Sequence, residues 1–197
     1  MIGKIKNIIK NKLIKVISPL INPTIIYGYK RADGVFLPNT RIGNSTHIGN
    51  KENFIVHDNV FIAQYSFIDA SNGVEIMEGC QIGFYVLIAS HSSHISIRLY
   101  GKEYRKTKNM EGYTRGSVKI GKYSFVGPHS VIMPNTNIGK GSLVAAYSYV
   151  QGDFPDFSII KGNPAKVIGD TRKLDAPFLE KNPELQNFYN EWAKDEN

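Results

Sequence analysis

Residues 120–150 read IGKYSFVGPHSVIMPNTNIGKGSLVAAYSYV, and the period of this stretch is six. An aliphatic residue returns at Ile120, Val126, Ile132, Ile138, Val144 and Val150 without a slip. Four residues after each of the first five stands a small hydroxyl residue: Ser124, Ser130, Thr136, Ser142 and Ser148. The position after the aliphatic is Gly121, Gly127, Gly139 or Ala145, with Met133 the exception. A repeat this short describes a solenoid whose units cannot bury a core alone and must stack. Each hexad is expected to form one flat strand and one corner, with three hexads completing a triangular turn. The aliphatic side chain fills the interior, the small residue also faces inward, and Gly or Ala opens the tight run into the corner.

Upstream the pattern persists with slips. Phe36, Ile42 and Ile48 carry Thr40 and Thr46 at the small position; Val56, Ile62 and Ile68 follow after a two-residue shift, and Ile76, Ile82 and Ile88 after another. Shifts of this size are expected at bulged corners. Between residues 92 and 117 the repeat gives way to SSHISIRLYGKEYRKTKNMEGYTRGS, a basic, tyrosine-containing segment expected to be extruded from one corner. Long loops of this kind usually carry function, because a smooth prism has no cleft of its own.

The chain of 197 residues is near the size of one domain, and its charge of +7 favours anionic partners without choosing among them. A single cysteine, Cys80, excludes a disulfide framework, and no Cys/His cluster resembles a zinc site. Residues 1–22 place Ile2, Ile5, Ile9, Leu13, Val16 and Leu20 at helical spacing among lysines, which predicts a basic amphipathic helix. That segment lacks the unbroken apolar run of a signal peptide or membrane span; it is expected to cap one end of the coil or to touch an anionic inner-membrane surface. Residues 35–170 form the coil domain and 171–197 a C-terminal helical extension, in which Asn182 is expected to cap a helix starting at Pro183 with Leu185, Phe188, Tyr189 and Trp192 on one face.

The repeat and the ending IIKGNPAKVI resemble the hexapeptide-repeat acyltransferase superfamily, in particular bacterial surface-polysaccharide sugar O-acetyltransferases and the galactoside and maltose acetyltransferases. The resemblance implies an all-β, left-handed parallel β-helix with an extruded loop and terminal helices, acting as a cytoplasmic homotrimer with sites in the grooves between prisms. It implies acetyl-CoA as donor, a sugar hydroxyl as acceptor and no metal. His91, where the chain leaves the coil, matches the position of the family's catalytic base, a role that suits an imidazole at neutral pH. His94 is a candidate to orient His91 or the acceptor. Gln64 and Asp69 match acceptor-contacting positions, and Arg98, Tyr100 and Arg105 of the basic loop suit an anionic saccharide. For the donor, Ala145 and Ala146 match the pair that lets the pantetheine arm approach the backbone, Phe125 stands where a tryptophan often lines the groove, and Lys161 and Lys166 are placed to meet phosphates.

Three alternatives remain open at this stage: N-acetylation of a nucleotide-linked amino sugar, a non-catalytic β-helix, and a zinc-binding one. The remaining histidines, His47, His57 and His129, sit at corners and do not recur at hexad spacing, which speaks against zinc. No nucleic-acid motif accompanies the positive charge.

Overall fold

Each hexad becomes one short strand and one corner in the computed structural model, which describes residues 12, 13 and 22–194. The strands fall on three faces. Face 1 stacks β2 (Phe36–Gly43), β5 (Phe61–Ile62), β8 (Gln81–Ile82), β13 (Phe125–Val126), β15 (Leu143–Val144) and β17 (Ser158–Gly162) in parallel. Antiparallel β1 (Ile25–Lys30) closes one edge and β18 (Ala165–Asp170) the other. Face 2 stacks β3 (His47–Gly49), β6 (Phe67–Asp69), β9 (Leu87–Ala89) and the first part of β14 (Val131–Ile138). Face 3 stacks β4 (Phe54–Val56), β7 (Val74–Ile76), β12 (Val118–Ile120) and the second part of β14, while β16 (Tyr149–Phe154) covers both parts of β14.

Strict parallel register puts like residues over like. Ile62, Ile82, Val126, Val144 and Ile160 form one interior ladder, Ile68, Ile88, Ile132 and Val150 a second, and Val56, Ile76, Ile120 and Ile138 a third, all fully buried. Each such side chain is worth about 1.5–3 kcal/mol in area removed from water. The small hydroxyl residues do more than save space. Ser66 donates to the Gly83 carbonyl at 3.0 Å, Ser124 to Gly139 at 3.0 Å and Ser130 to Ala145 at 3.1 Å, so each ties its coil to the next and satisfies a buried polar group. Gly127 has no room for a Cβ, which would lie 2.5 Å from the Ala146 nitrogen of the coil above.

The irregularities gather at a single corner, between faces 2 and 3. There the first coil inserts the Lys51–Asn53 turn, the second turns through Ser71 to Gly73, and the third releases the loop. That loop leaves along β10 (His91–Ser92) and returns along β11 (Thr114–Arg115), which pair antiparallel, with α1 (Ser96–Tyr100) and a 3-10 turn (Gly101–Glu103) between them. The Gly116 N–H donates to the Ser90 carbonyl at 3.1 Å, sewing the returning strand to the coil.

After the β17–β18 hairpin, whose turn holds a cis Asn163–Pro164 bond, come α2 (Thr171–Lys181) and α3 (Leu185–Ala193). Asp170 caps α2 by accepting from the Arg172 N–H at 2.9 Å. Asn182 does not start a helix at Pro183 as expected from sequence; it ends α2, its Nδ2 donating to the Phe178 carbonyl at 2.9 Å. The physical reason is that a residue before proline avoids helical backbone, while its amide satisfies an orphan helix-end carbonyl. Trp192 of α3 reaches the corner between faces 3 and 1, stacking on Tyr123 at 4.8 Å and tilting against Phe157 at 5.9 Å. It enters where Gly141 leaves the corner bare: a Cβ there would lie 3.0 Å from the indole. Tyr189 packs edge-on against Trp192, but Leu185 and Phe188 of the same helix stay exposed. The expected N-terminal amphipathic helix lies outside the described residues apart from Lys12 and Leu13, and no described helix is long and apolar enough to cross a membrane.

Candidate active site

His91 occupies the third position after the core residue Ile88, the place where a corner would turn, and the β10–β11 ribbon carries its side chain outward. Beneath it, in the coil below, Asp69 ends β6. The His91 Nδ1 lies 2.6 Å from Asp69 Oδ2 and 3.1 Å from the Ser71 hydroxyl. Asp69 is itself held by the Ser71 N–H at 3.2 Å, the Ser71 hydroxyl at 3.1 Å and the Ser90 hydroxyl at 3.2 Å. Burial pushes the Asp69 carboxyl up, but the Ser71 N–H, the His91 ring and the Ser71 hydroxyl together outweigh it and hold the group below the ordinary carboxylate range. An ionised carboxylate only accepts hydrogen bonds, so the neutral imidazole carries its proton on Nδ1 and keeps a lone pair on Nε2. The outward nitrogen can accept a hydrogen bond or a proton, and Asp69 fixes the tautomer and orientation of the ring.

One wall of the site comes from the returning strand. Tyr113 stacks on the His91 ring, with centroids 5.7 Å apart and planes 6° from parallel, and the Arg115 guanidinium lies over Tyr113 at 4.4 Å. Neither residue stood out in the sequence, where 92–117 is simply basic and aromatic. The alternation of Tyr113 and Arg115 about Thr114, facing His91 across an antiparallel pair, was the available signal.

Other expected residues are placed differently. His94 does not orient His91: its Nδ1 pairs with the Ser92 hydroxyl at 2.8 Å, because Asp69 already takes the inner nitrogen of His91. Gln64 is buried and spent on structure, accepting from the Ser45 hydroxyl at 2.5 Å and donating to the Thr24 carbonyl at 2.6 Å, so it ties β1 to the coil and offers nothing to an acceptor. Asp69 faces His91 and the two serines, so its carboxylate is engaged there. Arg98 donates to the His94 carbonyl, and the Tyr100 hydroxyl accepts from the Glu111 N–H at 2.9 Å, so both brace the loop, while Arg105 is exposed. Cys80 is buried beneath face 1, and burial pushes its thiol up to about 12, which removes it as a nucleophile.

Of the donor residues, Ala145 and Ala146 form a corner between faces 1 and 2, with Ala146 exposed. Lys161 and Lys166 are cross-strand partners on the terminal hairpin, both exposed, with no carboxylate partner among the described residues. Phe125 departs from this group. It lies on face 1 in a groove of about 810 Å³ that the chain's own α2 and α3 overhang with Leu174, Phe178, Leu185 and Trp192.

Comparison with known proteins agrees with the fold. Residues 117–152 match the family model described as bacterial transferase hexapeptide (six repeats). That stretch carries the family's hexapeptide repeat. A putative acetyltransferase of Staphylococcus aureus is 41% identical over 66 residues, covering 33% of this chain and 32% of that protein. The matched stretch thus spans about a third of such relatives. A putative acetyltransferase of Saccharomyces cerevisiae is 31% identical over 134 residues, covering 68% of this chain and 60% of that one. Among solved structures, the hexapeptide-repeat fold is shared with AntD, an N-acyltransferase from Bacillus cereus in complex with dTDP and 3-hydroxybutyryl-CoA, at a TM-score of 0.56 and 22% identity, covering 75% of this chain and 89% of that one. A hexapeptide-repeat-containing acetyltransferase from Vibrio cholerae aligns at a TM-score of 0.55 and 21% identity, covering 66% and 69%.

Proposed function

We propose that this protein is an acetyl-CoA-dependent O-acetyltransferase that esterifies a sugar hydroxyl in bacterial surface-polysaccharide synthesis, with His91 as general base. The observation that carries the reading is the 2.6 Å contact between His91 Nδ1 and Asp69, which leaves Nε2 as a lone-pair acceptor at the loop mouth. Nε2 takes the proton from the acceptor hydroxyl as its oxygen bonds to the acetyl carbon. As the thioester C–S bond breaks, the same nitrogen returns that proton to the departing sulfur. Asp69 stabilises the imidazolium formed between the two transfers.

For the donor, Ala146 exposes backbone without a bulky side chain, and Lys161 with Lys166 presents two neighbouring ammonium groups to phosphates. A hydroxyl acceptor suits the Asp69–His91 pair better than an amine does, because an amine attacks with its own lone pair whereas a neutral hydroxyl needs a base in the transition state. The reading places the chain in the cytoplasm, where acetyl-CoA is present, as a homotrimer whose neighbouring subunits complete the groove. Contact with the inner membrane would fall to residues 1–22.

Release of free CoA thiol from acetyl-CoA, measured with and without sugars, tests the reaction. Acceptor-dependent release with an ester product supports it; an amide product formed only with amino sugars would replace it. Calorimetry on the Lys161→Ala, Lys166→Ala double variant tests the donor end, with weaker and less salt-sensitive acetyl-CoA binding expected.

A further inference from the structure

The β10–β11 ribbon gathers three chemically distinct side chains on one of its faces. Residues 113 and 115 alternate with 114 and so project to the same side, and His91 is the direct cross-strand partner of Arg115. The Arg115 guanidinium carbon lies over the Tyr113 ring, 4.4 Å from its centroid, and Tyr113 stacks on the imidazole. The guanidinium is exposed and has no carboxylate partner among the described residues, unlike Arg31 and Arg172, which are paired with Asp33 and Asp170.

We propose that Arg115 is the specificity-determining residue of this site, and that the acceptor it selects carries a carboxylate or phosphate close to the hydroxyl that meets His91. A guanidinium stacked on a ring keeps its in-plane N–H donors free, and that fork matches two oxygens of a planar or tetrahedral anion. Stacking also pre-orders the side chain, so less rotamer freedom is lost when the anion arrives. Cross-strand partners in an antiparallel ribbon stand about 5 Å apart at their Cα atoms, so His91 and Arg115 rise from neighbouring points of the ribbon. Arg98, the arginine that sequence singles out nearby, is engaged with the His94 carbonyl.

The inference rests on His91 as the acceptor's base, yet its test needs no turnover. Ligand-observed NMR would compare the affinity of the purified protein for glucuronic acid against glucose, and for glucose 1-phosphate against glucose. At least one charged sugar should bind tenfold or more tighter than glucose. The preference should vanish in Arg115→Gln, persist in part in Arg115→Lys and weaken with salt, at unchanged melting temperature. Preference for the first pair identifies a uronic acid as the acceptor class, and preference for the second a phosphorylated or nucleotide-linked sugar. Equal affinities, or no measurable binding of any of the three, would overturn the proposal. His91→Ala should keep the charge preference while losing turnover, so a failure of the base and a failure of Arg115 give different results.

Discussion

His91 and His129 hold the same position in the repeat, third after the core residues Ile88 and Val126, yet their surroundings have almost nothing in common. His129 turns an unbroken corner with φ 59° and is clasped between Tyr85 and Tyr147, each ring 4.9 Å away and within 8° of parallel. Tyr65 extends that column by one more ring at 5.1 Å. His91 stands where the corner is abandoned for a loop, with a carboxylate in the coil below. In a solenoid, what a corner residue does is set by the residue stacked beneath it one coil earlier. A ring over rings is a structural column; a ring held from below by Ser71 and Asp69 keeps its outer nitrogen open.

The sharpest way to break this comparison is to remove each imidazole. His91→Ala should lower acetyl transfer by roughly a hundredfold to ten-thousandfold while leaving acetyl-CoA affinity nearly unchanged and the protein folded, as steady-state kinetics and calorimetry would show. If His129→Ala abolished turnover in a folded protein while His91→Ala stayed active, the two corners would have to exchange roles.

Asp69→Asn keeps the shape of the pair and removes its charge. Turnover should fall by about tenfold or more, approaching the His91→Ala loss where the ring settles in the wrong tautomer. An unchanged rate would mean that the loop, and not the coil beneath, orients the base.

His129→Ala should act on stability alone. Ring pairs contribute about 0.5–1.5 kcal/mol each, so losing two should cost about 1–3 kcal/mol, visible as a drop of several degrees in thermal unfolding with kinetics intact. The smallest effect concerns acid. The folded Asp69 carboxyl lies below its unfolded value of about 3.9, so its bonds contribute stability that is full above that pH and is lost as pH falls through the folded value. Asp69→Asn should therefore flatten the acid limb of the stability curve below about pH 4. An identical limb in both proteins would show that those bonds add nothing to the fold.

The six-residue period alone determined the β-helix, its three interior ladders, the small hydroxyl positions and the place where the loop departs. Each of these follows from which side chains can share the inside of a narrow triangular coil, a constraint repeated at every turn. His91 was legible for the same reason, since it marks the break in the repeat. The partners that decide its chemistry were not. Asp69 stands in an earlier coil, and Tyr113 and Arg115 stand at the far end of a loop without periodicity. Gln64 and Asp69 lie five positions apart and both read as corner hydrogen-bonders, yet one became a tie to Thr24 at the entry to β1 and the other the partner of the His91 ring. Only the stacking of coils brings residues 69, 91 and 113 together, because contact between turns depends on corner lengths and loop closure that no local pattern records.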